Sequence, residues 1–449
     1  MAQELKSHPT VIRLSTQLNP APVAPSNGGA IDAAWLRQLC LESGADDVGF
    51  VAIDRHELDD QRDDILAVFP RAQALISFVV RMNREPIRSP ARSIANGEFH
   101  HSTDRTDEVG HAIVAQLERH GVAAINPTTG FPMEMSRWPS KTWVISHKPV
   151  AVAAGLGQMG IHRNVIHPIF GNFILLGTIA VAAPIDASSQ PIDYNPCLEC
   201  KLCVAACPVG AISPDGAFSF SACYTHNYRE FMGGFTDWIE NVADSRDAAD
   251  YRSRVRDDET VSFWQSLSFG SNYKAAYCMA VCPAGEDVIT PFLADRKRFL
   301  GEVVKPLQQR PETVYVTPDS DAERYVQKRF PHKTVRRVGN GLRATSIAGF
   351  LSGLHLIFKR HRAAGLNLTY HFSFSGAETA EATVMIREGN VQVERGLVGT
   401  ADLHITADST TWVKFLRKEQ NMLWAVLRGK LRWKGSPRLL KTFGDCFGS

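Results

Sequence analysis

The sequence predicts a chain of mixed helix and strand content, with an α/β layer domain in front, a cysteine-rich module inserted behind it, and an α+β domain at the end. Three observations lead to this prediction. Apolar strands alternate with amphipathic helices in the front part, as in layered folds. Seven of the nine cysteines lie between residues 197 and 282. Segments that alternate with period two, separated by glycines, dominate the last hundred residues.

Length and composition place the chain among ordinary globular proteins. Its 449 residues suffice for two or three domains, and 44% of them are hydrophobic while 21% are charged. The apolar stretch at 169–183 is interrupted by Gly171 and Gly177 and is shorter than the ~18 residues of a membrane helix, so no transmembrane segment is expected. Residues 1–29 lack the apolar core of a signal peptide, and a disordered tail on a cytoplasmic protein is expected.

Charge is unevenly distributed along the chain. Residues 301–449 hold 23 Lys and Arg against 13 Asp and Glu, whereas the preceding 300 residues hold 26 against 34. Two docked units of opposite charge, a basic unit facing an anionic partner, and chance variation on a solvated face would each explain this asymmetry. No other feature indicates nucleic acid, so a nucleic-acid partner is not expected.

The α/β layer domain is predicted over residues 30–190. Its first helix has apolar residues at helical spacing, Asp32 as its cap and Gly44 as its end. The predicted elements are helices at residues 33–41 and 108–120 and strands at residues 47–53 and 72–80.

A glycine string follows these elements. Gly155, Gly157 and Gly160 form G-x-G-x-x-G, but no acidic residue follows at the distance that a dinucleotide site requires. A tight loop that lets the backbone approach a cofactor or another strand is the expected use of these glycines.

The cysteine-rich module is predicted over residues 191–290. The run from Cys197 to Pro208 has the spacing C-x2-C-x2-C-x3-C-P of bacterial ferredoxins, and soft thiolates at this spacing favour an iron–sulfur cluster over zinc. Cys278 and Cys282 repeat the C-x3-C-P ending, so the two segments are expected to exchange ligands. The predicted ligands of a first 4Fe–4S cluster are Cys197, Cys200, Cys203 and Cys282.

A second cluster has an incomplete set of ligands. Ala275 stands where a complete second motif would carry a cysteine. Three alternatives stay open: a 3Fe–4S cluster, a 4Fe–4S cluster with a non-cysteine ligand, or no second cluster. His226 and Tyr277 are the nearby candidates for the substitute ligand. The predicted thiolate ligands of this cluster are Cys207, Cys223 and Cys278.

Several strings occur in one order along residues 30–290. They are Asp47-Val-Gly-Phe, the Ala-Gly-Leu-Gly-Gln-Met-Gly string at 154–160, the apolar strand at 173–179 and the cysteine run. In this order they resemble the group of epoxyqueuosine reductases and reductive dehalogenases. The resemblance implies a cobalamin beside two iron–sulfur clusters that feed electrons to cobalt. A ferredoxin or a flavodoxin is the expected electron donor.

One position departs from that group. The resemblance implies an aspartate proton donor about sixteen residues before Gly157, where this sequence has Lys141, so the queuosine chemistry is not expected to carry over. Lys141 is itself a candidate proton donor, with a solvated surface lysine as the alternative. His100 and His101 are candidates for the polar edge of a cofactor, with an ordinary polar loop as the alternative.

The end of the chain begins with a predicted linker at residues 291–340, where prolines and basic residues are frequent. Four alternating segments then predict an antiparallel meander, and two helices follow it. The predicted strands are residues 368–374, 383–386, 390–394 and 401–406, and the predicted helices are residues 409–417 and 421–427.

Two strings in this last part, at residues 405–409 and 427–435, resemble the sterol carrier protein type-2 domain, and the resemblance covers residues 341–449. It implies a helix layer over a five-stranded sheet that encloses an apolar tunnel for a lipid, sterol or acyl ligand. Aromatic residues such as Phe350, Trp412 and Trp424 would line such a tunnel or simply fill the core.

Two functions are compatible with these features. One is an iron–sulfur oxidoreductase that passes electrons through two clusters to a bound cofactor, with cobalamin left open, or to a hydrophobic substrate presented by the last domain. The other is a non-catalytic ferredoxin-type carrier with a lipid-binding or docking domain. The size of the front domain favours the enzyme, because a carrier needs only ~60 residues around two clusters.

Overall fold

The structure is a computed structural model that describes residues 8–16, 23–135, 138–139, 142–197, 199–417 and 419–447. Three folded units follow one another in these residues. They are a four-stranded sheet with its helices, the cysteine-bearing module with a pair of parallel strands, and a five-stranded sheet with its helices. Within these ranges, no helix is both long and apolar enough to cross a membrane.

The front unit contains eight strands around one main sheet. The main sheet has the order β3 (Asp47–Ala52), β4 (Ala74–Arg81), β8 (Ile174–Val181) and β5 (Ala124–Ile125), and every pairing in it is antiparallel. Mixed layers of helices and strands are therefore confirmed, but the parallel βαβ arrangement typical of α/β folds is not present in this sheet. The strands are β1 Ser26–Asn27, β2 Ala30–Ile31, β3 Asp47–Ala52, β4 Ala74–Arg81, β5 Ala124–Ile125, β6 Gln158–Met159, β7 Val165–Ile166 and β8 Ile174–Val181.

Helices cover both faces of this sheet, so β4 and β8 are buried on both sides and are apolar almost throughout. On one face Leu75 and Val79 pack with the helix that carries Val150, and on the other face Ile76 and Phe78 pack with the long helix. The helices of this unit are Pro9–Thr16, Ala33–Glu42, Arg62–Val68, Arg84–Arg88, Arg92–Arg119 and His147–Ala153, with a short 3-10 turn at His56–Leu58.

One prediction for the front unit is confirmed and two are corrected. Asp32 caps its helix by accepting a hydrogen bond from the Trp35 backbone N–H at 2.8 Å. The long helix begins at Arg92, sixteen residues earlier than predicted, because polar residues interrupt its apolar period. The predicted tail at 1–29 contains the helix Pro9–Thr16, and β1 pairs with β2 across Gly28 and Gly29.

The cysteine-bearing module is built of short helices. The segment between Cys223 and Cys278 forms three of them, which no sequence pattern had separated. The helices of the module are Leu202–Ala206, Phe220–Asn227, Gly233–Ala243, Ala248–Arg254, Asp257–Phe269, Tyr277–Ala280 and Glu286–Ala294.

Residues 291–340, predicted as a linker, are folded. Strands β9 Thr313–Val316 and β10 Thr334–Arg337 pair in parallel, and a helix connects them. The prediction was wrong because its prolines and basic residues occupy ordered positions: Pro306 lies in the first turn of a helix, where no N–H is needed, and Lys333 pairs with Glu312 at 2.7 Å. The helices here are Arg296–Phe299, Lys305–Gln309 and Asp321–Arg329, with a π-helical turn at Leu300–Val304.

The last unit places four helices on a five-stranded sheet of order β13-β12-β11-β14-β15. The predicted antiparallel meander is corrected at one pairing, since β11 and β14 run parallel. Residues 396–402 make the crossing over one face of the sheet, where the Val398 carbonyl accepts a hydrogen bond from His371. The strands are β11 Asn367–Ser375, β12 Ala380–Arg387, β13 Asn390–Arg395, β14 Leu403–Asp408 and β15 Leu431–Gly435, and the helices are Ile347–Ile357, Ser409–Leu416, Met422–Leu427 and Pro437–Phe447.

Aromatic side chains fill the space between this sheet and its helices. Ring centroids lie 5.4 Å apart for Phe350 and Trp412 and 5.2 Å apart for Phe372 and Phe443, and all four residues are buried. Trp424 lies on the surface instead. These contacts favour the filled-core alternative over a tunnel lined by the same residues.

Polar contacts join the last unit to the rest of the chain. Arg343 forms an ion pair with Glu240 at 2.5 Å, and His361 contacts Asp321 at 2.6 Å. Arg360 lies 3.8 Å from Asp215. In each contact the basic residue comes from the last unit, as expected if the charge asymmetry reflects two docked units.

Gly177 provides a test of the packing in the main sheet. It lies opposite Phe78 on the neighbouring strand, and a Cβ added to it would collide with the Phe78 ring. We expect Gly177→Ala to lower the free energy of unfolding by about 1–3 kcal/mol through overpacking. Thermal or denaturant unfolding of the purified protein measures this change.

Gly97→Ala is the matched control for this prediction. Gly97 lies in the long helix, and an added Cβ would have no neighbour within 4 Å. This substitution should be neutral or stabilising by up to about 1 kcal/mol, because alanine favours helices. Equal effects of the two substitutions would contradict the described pairing of Phe78 with Gly177.

Candidate metal centre

Left-handed backbone turns shape the first cysteine loop. Glu199 and Lys201 have φ values of 53° and 52°, and Lys201 directly precedes the helix Leu202–Ala206. Cys203 therefore lies in the first turn of this helix, and Cys207 lies at its end. The helix therefore precedes the last cysteine of the run.

The second cysteine segment repeats this geometry. Ala276 has a φ of 56° and directly precedes the helix Tyr277–Ala280, so Cys278 lies in its first turn. Cys282 and Pro283 follow the helix, as Cys207 and Pro208 follow the first one. Two short helices with the same entry turn thus present their cysteines in corresponding positions.

Four cysteines from these two segments line one cavity, which encloses about 390 Å³. They come from positions up to 85 residues apart along the chain. The backbone N–H of Ile161 approaches the Cys197 Sγ at 3.4 Å, as N–H groups do around cluster sulfurs. The four cysteines are Cys197, Cys200, Cys203 and Cys282.

This arrangement suits a cluster better than a single ion. No three His, Cys, Asp or Glu side chains among the described residues converge closely enough to hold one metal ion. In a multi-iron cluster each thiolate can bind a different iron, so the sulfur atoms surround a volume instead of a point. Thiolates are also the ligands that iron–sulfur clusters select.

Cys207, Cys223 and Cys278 form a second group, in which Cys207 and Cys278 act on the pKa of a neighbouring thiol. Burial raises the pKa of Cys278 to about 12, and the nearby Cys207 acts in the same direction. Burial likewise raises the pKa of Cys223, with further contributions from Cys278 and Cys207. Such buried thiols ionise when a metal binds them. The Ala211 N–H donates to the Cys207 Sγ at 3.3 Å.

Ala275 stands at the position of the missing cysteine, and backbone hydrogen bonds hold the chain there. The N–H groups of Ala275 and Ala276 both donate to the Asn227 Oδ1 at 3.0 Å. The Tyr277 hydroxyl donates to Glu312 at 2.7 Å, and this contact favours a structural role over that of a cluster ligand. His226 Nε2 is buried with no hydrogen-bond partner among the described residues, but the nearest charges around this ring are those of Glu312 and Lys274.

A group of polar side chains beside the second cysteine group was missed by the sequence analysis. Lys148 lies on the helix His147–Ala153, and burial lowers its pKa while Cys278 and Cys223 act in the opposite direction. Burial raises the pKa of Tyr228, with contributions from Tyr273, Cys223 and Cys278. The only signal in the sequence is a lysine directly before the apolar run 149–157.

Lys148 is exposed and Tyr228 and Tyr273 are half-buried, yet enough protein surrounds each of them to shift its pKa by burial, as at the walls of a cleft. The Lys148 Nζ donates to the Arg163 carbonyl at 2.8 Å and to the Asn164 Oδ1 at 2.9 Å. A cleft with titratable walls next to buried thiols is the environment in which reactive groups are found.

The weaker sequence candidates lie elsewhere or are not described. His100 and His101 lie on the long helix and not in a loop; His100 Nε2 contacts the Ser271 carbonyl at 3.0 Å, and His101 is exposed. Lys141 lies outside the described residues. The structure therefore brings neither histidine into the group of residues around the cysteines.

The three glycines of the G-x-G-x-x-G string permit close packing of the hairpin β6–β7. A Cβ at Gly155 or Gly157 would collide with the carbonyl of Gln190 or Ile166, respectively. A Cβ at Gly160 would approach the His162 ring at 2.8 Å. Because Ile161 follows Gly160 directly, the same loop delivers the N–H that points at Cys197.

The fold and the cysteine arrangement define an iron–sulfur protein. A family model described as 4Fe-4S binding domain matches residues 191–213. The matched residues include Cys197, Cys200, Cys203 and Cys207. The chain thus contains a module of the 4Fe–4S type, whose chemistry is electron transfer.

Curated relatives of the chain are epoxyqueuosine reductases. The protein of Staphylococcus aureus is 34% identical over 82 residues, which are 18% of this chain and 21% of that one. The protein of Leadbetterella byssophila is 30% identical over 121 residues, which are 25% of this chain and 39% of that one. The chain thus spans about a fifth to two fifths of the length of these relatives.

Solved structures give the same grouping at low similarity. A reductive dehalogenase described as B12-dependent is 16% identical with a TM-score of 0.39, covering 64% of this chain and 37% of that one. An epoxyqueuosine reductase solved with a tRNA stem loop is 16% identical with a TM-score of 0.35, covering 62% and 78%. The tRNA is said of that neighbour alone, and the expectation of no nucleic-acid partner stays a prediction for this chain. Sterol carrier protein 2 of Yarrowia lipolytica is 15% identical with a TM-score of 0.18, covering 20% and 77%.

Substitution of a cavity cysteine tests the first ligand set. We expect Cys200→Ala to lower the iron and sulfide content per chain and to change the EPR spectrum of the reduced protein. Cys40→Ala is the matched control, because Cys40 is fully buried in the core of the front unit, away from the cavity. Unchanged iron content and an unchanged spectrum in Cys200→Ala would contradict the ligand assignment, provided that circular dichroism shows a folded protein.

Proposed function

We propose that this protein is an iron–sulfur reductase that relays single electrons through two clusters to an acceptor bound in the cleft at Lys148 and Tyr228. The first cluster would be held by Cys197, Cys200, Cys203 and Cys282, and the second by Cys207, Cys223 and Cys278. The observation that carries the proposal is that cysteines from two distant segments line one cavity, beside a second buried cysteine group.

The cleft favours a reductase over a simple electron carrier. A carrier needs only an exposed cluster edge, whereas this chain surrounds its second cysteine group with ionisable side chains whose pKa values burial has shifted. Lys148 supplies a positive charge that attracts an anionic acceptor and stabilises added electrons. Its raised pKa keeps the Tyr228 hydroxyl protonated. This hydroxyl is the candidate donor of the proton that is transferred after the electron.

Cobalamin is one acceptor to consider, because one structural neighbour is described as B12-dependent. The cavity at the cysteines would hold the first cluster, and the other cavity lies at the boundary of the last unit. Neither of them contains Lys148 or Tyr228, so neither is offered as a corrinoid site.

The last unit is proposed to present a hydrophobic ligand at the boundary cavity. This cavity lies between residues 357–359 of the last unit and the helix Phe220–Asn227, which carries Cys223. Ile357 and Phe358 offer apolar surface there, and Lys359 offers a charge for a polar head group. An apolar ligand held at this boundary would lie near the second cysteine group.

Metal analysis after anaerobic purification tests the proposal. About seven or eight irons per chain with matching sulfide are expected for two clusters, and about four would mean that only the first one forms. Cobalt near one per chain after growth with cobalamin would identify the acceptor as a corrinoid. Fewer than about three irons, or clusters that no acceptor reoxidises, would contradict an iron–sulfur reductase.

Lys148 gives a sharper test of the cleft. Lys148→Met should lower the midpoint potential of the second cluster, because it removes a positive charge near Cys223 and Cys278. At an effective dielectric constant of about 20 we expect roughly a tenfold change in the ratio of reduced to oxidised cluster. An EPR-monitored redox titration measures it.

Lys148→Arg is the matched control, since it keeps the charge and should keep the potential close to that of the unmodified protein. If Lys148→Met and Lys148→Arg give the same potential for the second cluster, Lys148 does not act on this cluster through its charge.

A further inference from the structure

His162 is a buried polar side chain that the proposed electron path does not use. It lies between β6 and β7, and only 4% of its surface is exposed. Its ring lines the same cavity as the four cysteines of the first group. Gly160 leaves room for the ring, because a Cβ at that position would lie 2.8 Å from the His162 Cε1.

A hydrogen bond fixes which nitrogen of the ring carries the proton. The backbone N–H of Asn164 donates to the His162 Nδ1 at 3.2 Å. Because Nδ1 accepts, the proton of the neutral ring lies on Nε2. Burial lowers the pKa of His162, with Lys148 acting in the same direction, and Nε2 carries a proton in the neutral and in the charged ring alike.

The Nε2–H donor has no hydrogen-bond partner among the described residues, although it is buried. Buried donors without a partner are rare, because each costs about 1–3 kcal/mol in free energy. Most other side chains that line the cavity are apolar, including Ile161 and Ile166, and the charged residues Glu199 and Lys201 are exposed. The acceptor for this donor must therefore come from what fills the cavity.

We propose that the Nε2–H of His162 donates a hydrogen bond to a sulfur atom of the first cluster and thereby raises the reduction potential of that cluster. The inference rests on the proposed function, because it requires the four cysteines to hold that cluster. Reduction adds negative charge to the cluster, so a hydrogen-bond donor stabilises the reduced form more than the oxidised form. His162 is thus a hydrogen-bond donor to the cluster and not a ligand of its iron.

Lys148 and Asn164 hold this donor in place. Lys148 donates from Nζ to the Asn164 side chain at 2.9 Å and to the Arg163 carbonyl at 2.8 Å, which fixes the turn after His162. The Asn164 N–H then holds the ring nitrogen that faces away from the cavity. A chain of polar contacts thus connects the cleft beside the second cysteine group to the cavity of the first.

Two variants of His162 test the inference. His162→Phe keeps an aromatic ring and removes the donor, whereas His162→Gln keeps an N–H donor at a similar distance from the backbone. EPR-monitored titrations of the anaerobically purified proteins give the midpoint potentials of both clusters. We expect His162→Phe to reduce the ratio of reduced to oxidised first cluster about tenfold at a given potential, which is about 59 mV for one electron.

His162→Gln should stay within about threefold of the unmodified protein, and the second cluster should keep its potential in both variants. An unchanged first-cluster potential in His162→Phe, with full iron content, would overturn the inference. An equal shift of both clusters would also overturn it, because a general structural change would explain that result. Absence of a four-iron cluster in the unmodified protein would instead refute the proposed function itself.

A measurement on the unmodified protein protects the test against loss of the cluster in the variants. Pulsed EPR of reduced protein labelled with 15N-histidine should detect one histidine nitrogen coupled to the first cluster, together with an exchangeable proton. In His162→Gln the coupling to an exchangeable proton should persist. The nitrogen coupling should be that of an unlabelled amide nitrogen. A reduced first cluster without any histidine coupling would refute the hydrogen bond directly.

Discussion

The exchange of cysteines between two segments is the constraint on which the rest of the molecule depends. Cys282 reaches the cavity of the first cysteine run only if everything between residues 207 and 278 folds back on itself. The two short helices achieve this by entering through the same left-handed turn, at Lys201 and Ala276. The hairpin β6–β7 then closes one side of the cavity with Ile161, His162 and Ile166.

A buried ionic group fixes the back of the second cysteine helix. Glu312 receives hydrogen bonds from the Tyr277 hydroxyl, Arg310 and Lys333, at distances between 2.6 and 2.7 Å. Removal of one partner from such a group leaves an uncompensated buried charge, which is strongly destabilising. The folded segment after residue 290 therefore belongs to the metal module in physical terms, since it holds the helix that carries Cys278.

The ionisable groups of the site are distributed over all parts of the molecule that meet there. Lys148 and His162 come from the front unit, whereas Tyr228 and Tyr273 come from the helical segment between the cysteines. The last unit reaches the opposite side of the helix Phe220–Asn227 through the boundary cavity. Electron transfer, proton supply and ligand presentation would thus meet around Cys223 and Cys278 in the proposed function.

Local spacing was enough to predict the metal chemistry, the capped helix after Asp32 and the longer strands, because these depend on residue type and short-range period. The fold of residues 291–340 could not be predicted, because several of its polar side chains find partners in distant parts of the chain, as Arg336 does at Glu259 and Gln308 at Ala205. The functional roles of Lys148 and His162 could not be predicted from the sequence either. A lysine or histidine has no local signature of function; the three-dimensional structure decides it by placing the side chain near distant cysteines.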